Sequence, residues 1–199
     1  MQKNFLAGLA TGLFMIGMVG GVNADILVSQ GLETSAYSAS HSWSSYTPNF
    51  AFDGDYNTLW NSGSYPTEWV EVDLGQSTSI TEILLTVSQS PSPRDTTHEI
   101  WTSSSSIGWD TSGATRSYTF TGLTSDRDLL SAVFATSLSA QHVQIRTTRS
   151  PSWVGWDEIQ IMAANPVPEP AVPEPATMLL FGIGLAGLAG SRVRRKKKA

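Results

Sequence analysis

Between residues 25 and 165 the apolar side chains fall on alternate positions in short runs, a period of two that belongs to half-buried strands rather than helices. Trp69-Val70-Glu71-Val72-Asp73-Leu74 sets Val70, Val72 and Leu74 on one face. Residues 83–87, 98–102, 118–120, 142–146 and 158–161 carry the same strand signal. Turn-forming residues separate them: Asp53-Gly54, Asn61-Ser62-Gly63, Leu74-Gly75, Pro91-Ser92-Pro93 and Ser112-Gly113. Many short strands at this spacing predict an all-β antiparallel sandwich or jelly roll. A span of about 140 residues is one domain's worth of chain, large enough to build a core without staples. The chain has no cysteine, so disulfides and thiolate metal sites are excluded.

The two ends follow other rules. Residues 1–24 have a positive start at Lys3, an uncharged apolar run from Phe5 to Val19, and short residues at Val22-Asn23-Ala24 before a cleavage point. This is the pattern of a secretory signal, with an uncleaved membrane helix as the alternative. At the other end, residues 166–175 form a linker in which Val-Pro-Glu-Pro-Ala occurs twice in tandem, at Val167 and at Val172. Proline makes it stiff and extended. Ala176 to Gly190 is uncharged, and as a helix it would extend about 22 Å, short of a ~30 Å hydrocarbon core. The basic stems that follow can snorkel and make a short span tolerable. The run Arg192-Val193-Arg194-Arg195-Lys196-Lys197-Lys198 is expected to stay cytoplasmic, leaving the domain outside. Residues 176–199 are thus expected to be a short transmembrane helix with a basic tail.

The formal charge of −5 conceals a partition. Seven of the 12 basic residues lie outside residues 25–165, leaving only Arg94, Arg116, Arg127, Arg146 and Arg149 against 15 carboxylates there. Subtracting 15 from 5 gives the domain a charge of −10. That balance argues against nucleic acid and against anionic lipid as partners.

The segment Val172-Pro173-Glu174-Pro175-Ala176, then an apolar stretch, then a basic tail, resembles the PEP-CTERM sorting signal of Gram-negative bacteria. The resemblance implies recognition by an exosortase, with cleavage near Pro173, Glu174 and Pro175. It also implies passage from the inner membrane to the cell surface or an exopolysaccharide matrix. A plain tail anchor is the alternative.

Residues 48–63, Pro48-Asn49-Phe50-Ala51-Phe52-Asp53-Gly54-Asp55 through Gly63, resemble the coagulation factor 5/8 type C, or discoidin, domain. Residues 68–75 and the end, Val143-Gln144-Ile145-Arg146 and Ser150-Pro151-Ser152-Trp153-Val154-Gly155-Trp156-Asp157-Glu158-Ile159, fit as well. The likeness spans residues 34–162 and is loose over 103–135. It implies a galactose-binding-like jelly-roll sandwich, a family that includes carbohydrate-binding modules of family 32.

Asp53, Asp55 and Thr58, at offsets 0, +2 and +5 across a glycine, can curl oxygens around a hard cation, although Asp-Gly-Asp is also an ordinary turn. By the resemblance, Ca²⁺ would be held by the Phe50 carbonyl, the Asp53, Asp55 and Glu158 side chains, Thr58, and the Asp157 carbonyl. Its role would be structural. For sugar, Arg94 after Pro93 and Trp153 in its Ser-Pro-Ser-Trp loop are the candidates, with His41 and Trp43 weaker ones. Arg94 can instead pair with Asp95, and Trp153 can instead plug the sandwich end. Trp60, Trp69, Trp101 and Trp156 are expected in the core. The stretch after Arg94, Asp95-Thr96-Thr97, is expected as a short loop lacking the asparagine that would share a sugar, which weakens the case for galactose.

Gly-x-Ser-x-Gly, His-Glu-x-x-His and cysteine are all absent, so a non-catalytic binding module is expected. A protein-binding or purely structural matrix component and a glycan-active enzyme are the alternatives.

Overall fold

The structure, a computed structural model, describes residues 24–165. The signal segment up to residue 23, the 166–175 linker and the 176–199 helix and tail lie outside the described residues. Eight strands follow in order: β1 (Ile26–Leu27), β2 (Tyr37–Ala39), β3 (Trp60–Asn61), β4 (Glu68–Ser88), β5 (Arg94–Ser103), β6 (Thr115–Thr124), β7 (Leu129–Arg149) and β8 (Gly155–Ala163). Two 3-10 turns, Thr34–Ala36 and Pro48–Phe52, are the remaining regular elements, and no α-helix occurs among the described residues.

Every pairing is antiparallel, in the order β1-β8-β4-β7-β5-β6, with β2 added to β4 and β3 to β8. The long strands β4 and β7 build two layers from one sheet. The first part of β4, through Asp73, pairs with β2 and with the end of β7, which in turn pairs with β5. Its second part, from Ile80, pairs with β8 and with the start of β7. The register shifts between these halves, from Asp73 to Thr78, and such bulges bend strands. Leu74-Gly75 was expected to end a strand. Instead Gly75 sits at φ 77° inside β4 and donates its N–H to Asp73 Oδ1 at 2.8 Å, so the bulge is closed by a side chain.

The core lies between the layers. Val70, Val72, Val143, Ile145 and Ile100 enter from one, and Ile83, Leu85, Val87, Ile159 and Ile161 from the other, each at most 1% exposed. Burying one such side chain stabilises the fold by about 1.5–3 kcal/mol. Trp60 and Trp156 face each other across β3 and β8, fully buried as expected. Trp69 is buried too, at 8% exposed, but outside the central cluster, and Trp101 is only half-buried. Their neighbours Val70 and Ile100 take the inward face, so strict alternation turns the two tryptophans to the outer face. There Trp109 covers Trp69 edge-on at 6.1 Å, and the Arg116 guanidinium lies 5.8 Å from the Trp101 ring.

The outer face also holds a buried carboxylate. Glu71, 1% exposed, accepts the Ile107 N–H (3.1 Å), the Gly108 N–H (3.0 Å) and the Gln144 amide (3.1 Å). It therefore ties the β5–β6 connection down onto the sheet. Arg146 reinforces this, donating to Gln144 Oε1 at 3.0 Å and to the Gly108 carbonyl at 2.5 Å.

Candidate functional site

Three of the six exposed aromatic side chains among the described residues, Trp43, Tyr65 and Trp153, lie in loops at one end of the sandwich. Trp43, in the β2–β3 connection, packs against Trp153, in the β7–β8 connection, with ring centroids 5.2 Å apart and planes tilted by 54°. Tyr46 stacks on Trp43 at 5.5 Å and 7°. Trp43 and Trp153 remain 48% and 42% exposed, so both rings contact each other and still face water. Backbone and glycine position Trp43: its N–H donates to the Asn61 carbonyl at 2.8 Å. A Cβ on Gly63 would come within 2.8 Å of the Trp43 Cβ. Gly63 also has φ 70°, so both space and conformation require glycine there. Tyr65, 58% exposed, stands on the β3–β4 connection. Sequence reasoning missed Tyr46 and Tyr65, although aromatics in a polar Ser-rich loop were the signal available.

His41 is placed differently from the tryptophans. Its Nδ1 lies 3.0 Å from Glu68 Oε2, an oxygen that Ser40 Oγ also contacts, and its carbonyl accepts the Trp60 indole N–H at 3.0 Å. The backbone of His41 thus anchors a core tryptophan, while its ring is oriented by a nearly buried carboxylate.

Arg94 falls outside the aromatic group. It opens β5 instead of sitting in a loop, and Asp95-Thr96-Thr97 is strand, paired with Leu123, Gly122 and Thr121 of β6. The expected short loop is absent because β6 extends far enough to pair with it. Arg94 Nη1 donates to the Pro93 carbonyl at 2.9 Å, and it is Arg149, not Arg94, that pairs with Asp95, at 3.3 Å. A cleft of ≈ 500 Å³ lies between Arg94, Arg149, Leu123, Pro93 and Pro151. Arg149 was not singled out from sequence, because nothing local shows that β7 ends beside β5.

The third group is the Asp53–Thr58 turn. Asp53 Oδ1 accepts the Asp55 N–H at 2.9 Å, and its Oδ2 accepts Thr58 Oγ1 at 2.8 Å. Asp55 Oδ1 accepts the N–H and side-chain amide of Asn57, which hold its carboxyl below the ordinary range. Glu158, on β8, reaches this turn: its Oε2 accepts the Gly54 N–H at 2.9 Å and its Oε1 the Gln30 amide at 3.0 Å. Glu158 is 1% exposed with only neutral donors, and burial, aggravated by Asp53 and Asp55, pushes its pKa up to about 7. The Asp157 side chain alternates to the opposite face from Glu158 and lies 3.9 Å from Arg127. Among the described residues no three His, Cys, Asp or Glu side chains gather closely enough to hold a metal. The chemistry of the candidate donors is nonetheless the kind a hard cation takes. They are all oxygen, and the buried carboxylate among them lacks a counter-charge.

Comparison with known proteins accords with this architecture. Residues 34–161 match the F5/8 type C domain family, and residues 171–196 match the PEP-CTERM protein-sorting motif. No curated protein sequence matches. Among solved structures, the fold is similar to the family 32 CBM from C. perfringens NanJ, solved in complex with galactose. The identity is 18% and the TM-score 0.55, covering 70% of this chain and 99% of that one. It is also similar to the CBM32 of AlyQ in complex with 4,5-unsaturated mannuronic acid (20% identity, TM-score 0.52, 65% and 95% covered). A third is chitosan-binding module 1 from a Paenibacillus sp. IK-5 chitosanase/glucanase (23% identity, TM-score 0.51, 63% and 92% covered). The sorting motif implies export and delivery to the cell envelope. The chain belongs to the F5/8 type C domain family, with a carbohydrate-binding-module-like fold followed by a PEP-CTERM sorting motif.

Proposed function

We propose that the protein is an exported, non-catalytic module that binds glycan at the loop end of its sandwich. The observation that carries this is the Trp43–Trp153 pair, two indoles held together by loops 110 residues apart and left half open to water. Exposed aromatic faces suit the C–H side of a pyranose ring, and fixing them in advance lowers the entropic cost of binding. The galactose and uronate complexes of the similar modules support the reading. On this proposal the short apolar segment after residue 175 holds the chain in the inner membrane with the domain on the periplasmic side. An exosortase then cuts near Pro173-Glu174-Pro175 and releases the domain to the surface or its exopolysaccharide matrix. A glycan array followed by calorimetry tests the binding claim. Trp43→Ala and Trp153→Ala should each weaken capture at least tenfold, and undiminished capture by both variants would remove its basis.

A structural Ca²⁺ is part of the same proposal. Its ligands would be the Phe50 and Asp157 carbonyls, the Asp53, Asp55 and Glu158 carboxylates, and Thr58. The ion would supply the counter-charge that Glu158 lacks. At a hundredfold excess over its dissociation constant, Ca²⁺ adds about 2.7 kcal/mol to folding, a rise in melting temperature of roughly 5–10 °C. The rise should vanish in Asp53→Ala; a parent protein indifferent to Ca²⁺ and chelator would exclude the ion.

A further inference from the structure

We infer that the cleft beside Arg94 takes the carboxylate of a hexuronate, so that the glycan bound is an acidic polysaccharide; this rests on the glycan-binding proposal above. Charge placement is the first support. Of the five arginines among the described residues, Arg116 pairs with Glu99 at 2.8 Å, Arg149 with Asp95 at 3.3 Å and Arg127 with Asp157 at 3.9 Å. Arg146 is buried against Gln144 and the Gly108 carbonyl. Arg94 alone among them is exposed and has no carboxylate within ion-pair distance, only its neighbour's carbonyl. On a domain with three carboxylates for every arginine, it is an isolated positive site.

Shape is the second support. The ≈ 500 Å³ cleft falls within the roughly 300–1,000 Å³ usual for small-ligand sites. It holds two guanidinium groups and one carboxylate, Asp95, leaving one positive charge uncompensated. Arg94 uses one N–H on Pro93, so a donor edge remains for a carboxylate fork. Pro93, Pro151 and Leu123 supply apolar walls for the ring itself. Pro151 lies two residues from Trp153, their Cα atoms at most about 7 Å apart, so the cleft and one of the two indoles share the β7–β8 connection.

The acidic remainder of the domain opposes a polyanion, as it does nucleic acid and anionic lipid, so the preference for acid rests on the local contact at Arg94. A carboxylate gains at Arg94 an attraction that a neutral glycan or methyl ester does not, and short oligomers meet less of the repelling surface than long ones.

The test uses the full-length chain in detergent and calorimetry with short oligomers of galacturonate, glucuronate and mannuronate, each beside its methyl ester. The basic run from Arg192 to Lys198 also attracts acids, so the decisive quantity is the acid-over-ester ratio in the parent divided by that in Arg94→Gln. For at least one sugar that quotient should be about ten or more, while Arg94→Lys, which keeps the charge and loses the fork, should fall between. A quotient near one for all three sugars, or no acid binding at all, would overturn the inference. Neutral glycans captured in a Trp43-dependent way would then leave the module proposal standing alone. If no glycan of either kind is bound, both fail.

Discussion

His98 offers a quantitative test of how the core is assembled. It is 4% exposed, its Nδ1 lies 2.9 Å from Thr147 Oγ1, and its ring packs edge-on against Trp156 at 4.8 Å. Its Nε2 is buried without a partner. Burial pushes its pKa down from 6.5 to about 4, so the ring is neutral in the folded protein at physiological pH. Because the folded value lies below the unfolded one, the unfolded chain takes up a proton first as pH falls. The stability is therefore complete above 6.5 and is lost progressively between 6.5 and about 4. At about 1.4 kcal/mol per unit, His98 should remove about 2 kcal/mol by pH 5 and about 3 kcal/mol by pH 4. Those are large fractions of the roughly 5–15 kcal/mol that holds a domain folded. The measurement is urea unfolding, followed by tryptophan fluorescence, of the parent and His98→Phe at pH 7.5, 6 and 5. The variant keeps a ring against Trp156 but strands Thr147 Oγ1, so it should be weaker by about 1–2 kcal/mol at pH 7.5. Carboxylates titrate in both proteins, so the comparison isolates the histidine. Between pH 7.5 and 5 the parent should lose about 2 kcal/mol more than the variant. Equal losses would mean that His98 is not buried neutral, and the packing described around Trp156 would be wrong.

Two further substitutions probe how the outer face and the loop end are held. Glu71→Ala leaves the Ile107 and Gly108 N–H groups without their acceptor, and should cost about 3–5 kcal/mol in urea unfolding. It should also speed amide exchange at Gly108 beyond the global change; exchange as slow as in the parent would show that Glu71 does not hold this connection. Gly63→Ala places a methyl against Trp43 at a positive φ and should destabilise by about 1–3 kcal/mol while weakening glycan capture, both read on the same preparation. Full stability and capture in that variant would show that Trp43 is not seated on Gly63.

Strands were legible from local pattern because their side chains alternate with a period of two, and residues 69–74, 83–87, 98–102, 118–120, 142–146 and 158–161 all lie in strands. The same alternation was available for Trp69 and Trp101, whose neighbours point inward. Their size suggested the core, and only the cover supplied by Trp109 and Arg116 explains how they remain on the outer face. The joining of two predicted strands into β4 was hidden because Gly75 reads locally as a turn. Whether a glycine ends a strand or bulges it depends on the partner strand, here β7.

The family, the sorting motif and the oxygen-rich turn at Asp53 were written in contiguous residues, since each depends on neighbours along the chain. What the chain could not express locally is which distant residues meet: Trp43 with Trp153, Arg94 with Arg149 across one cleft, Glu158 with Gly54. Those meetings are set by the order and register of eight strands, a property of cooperative sheet closure that no short window contains.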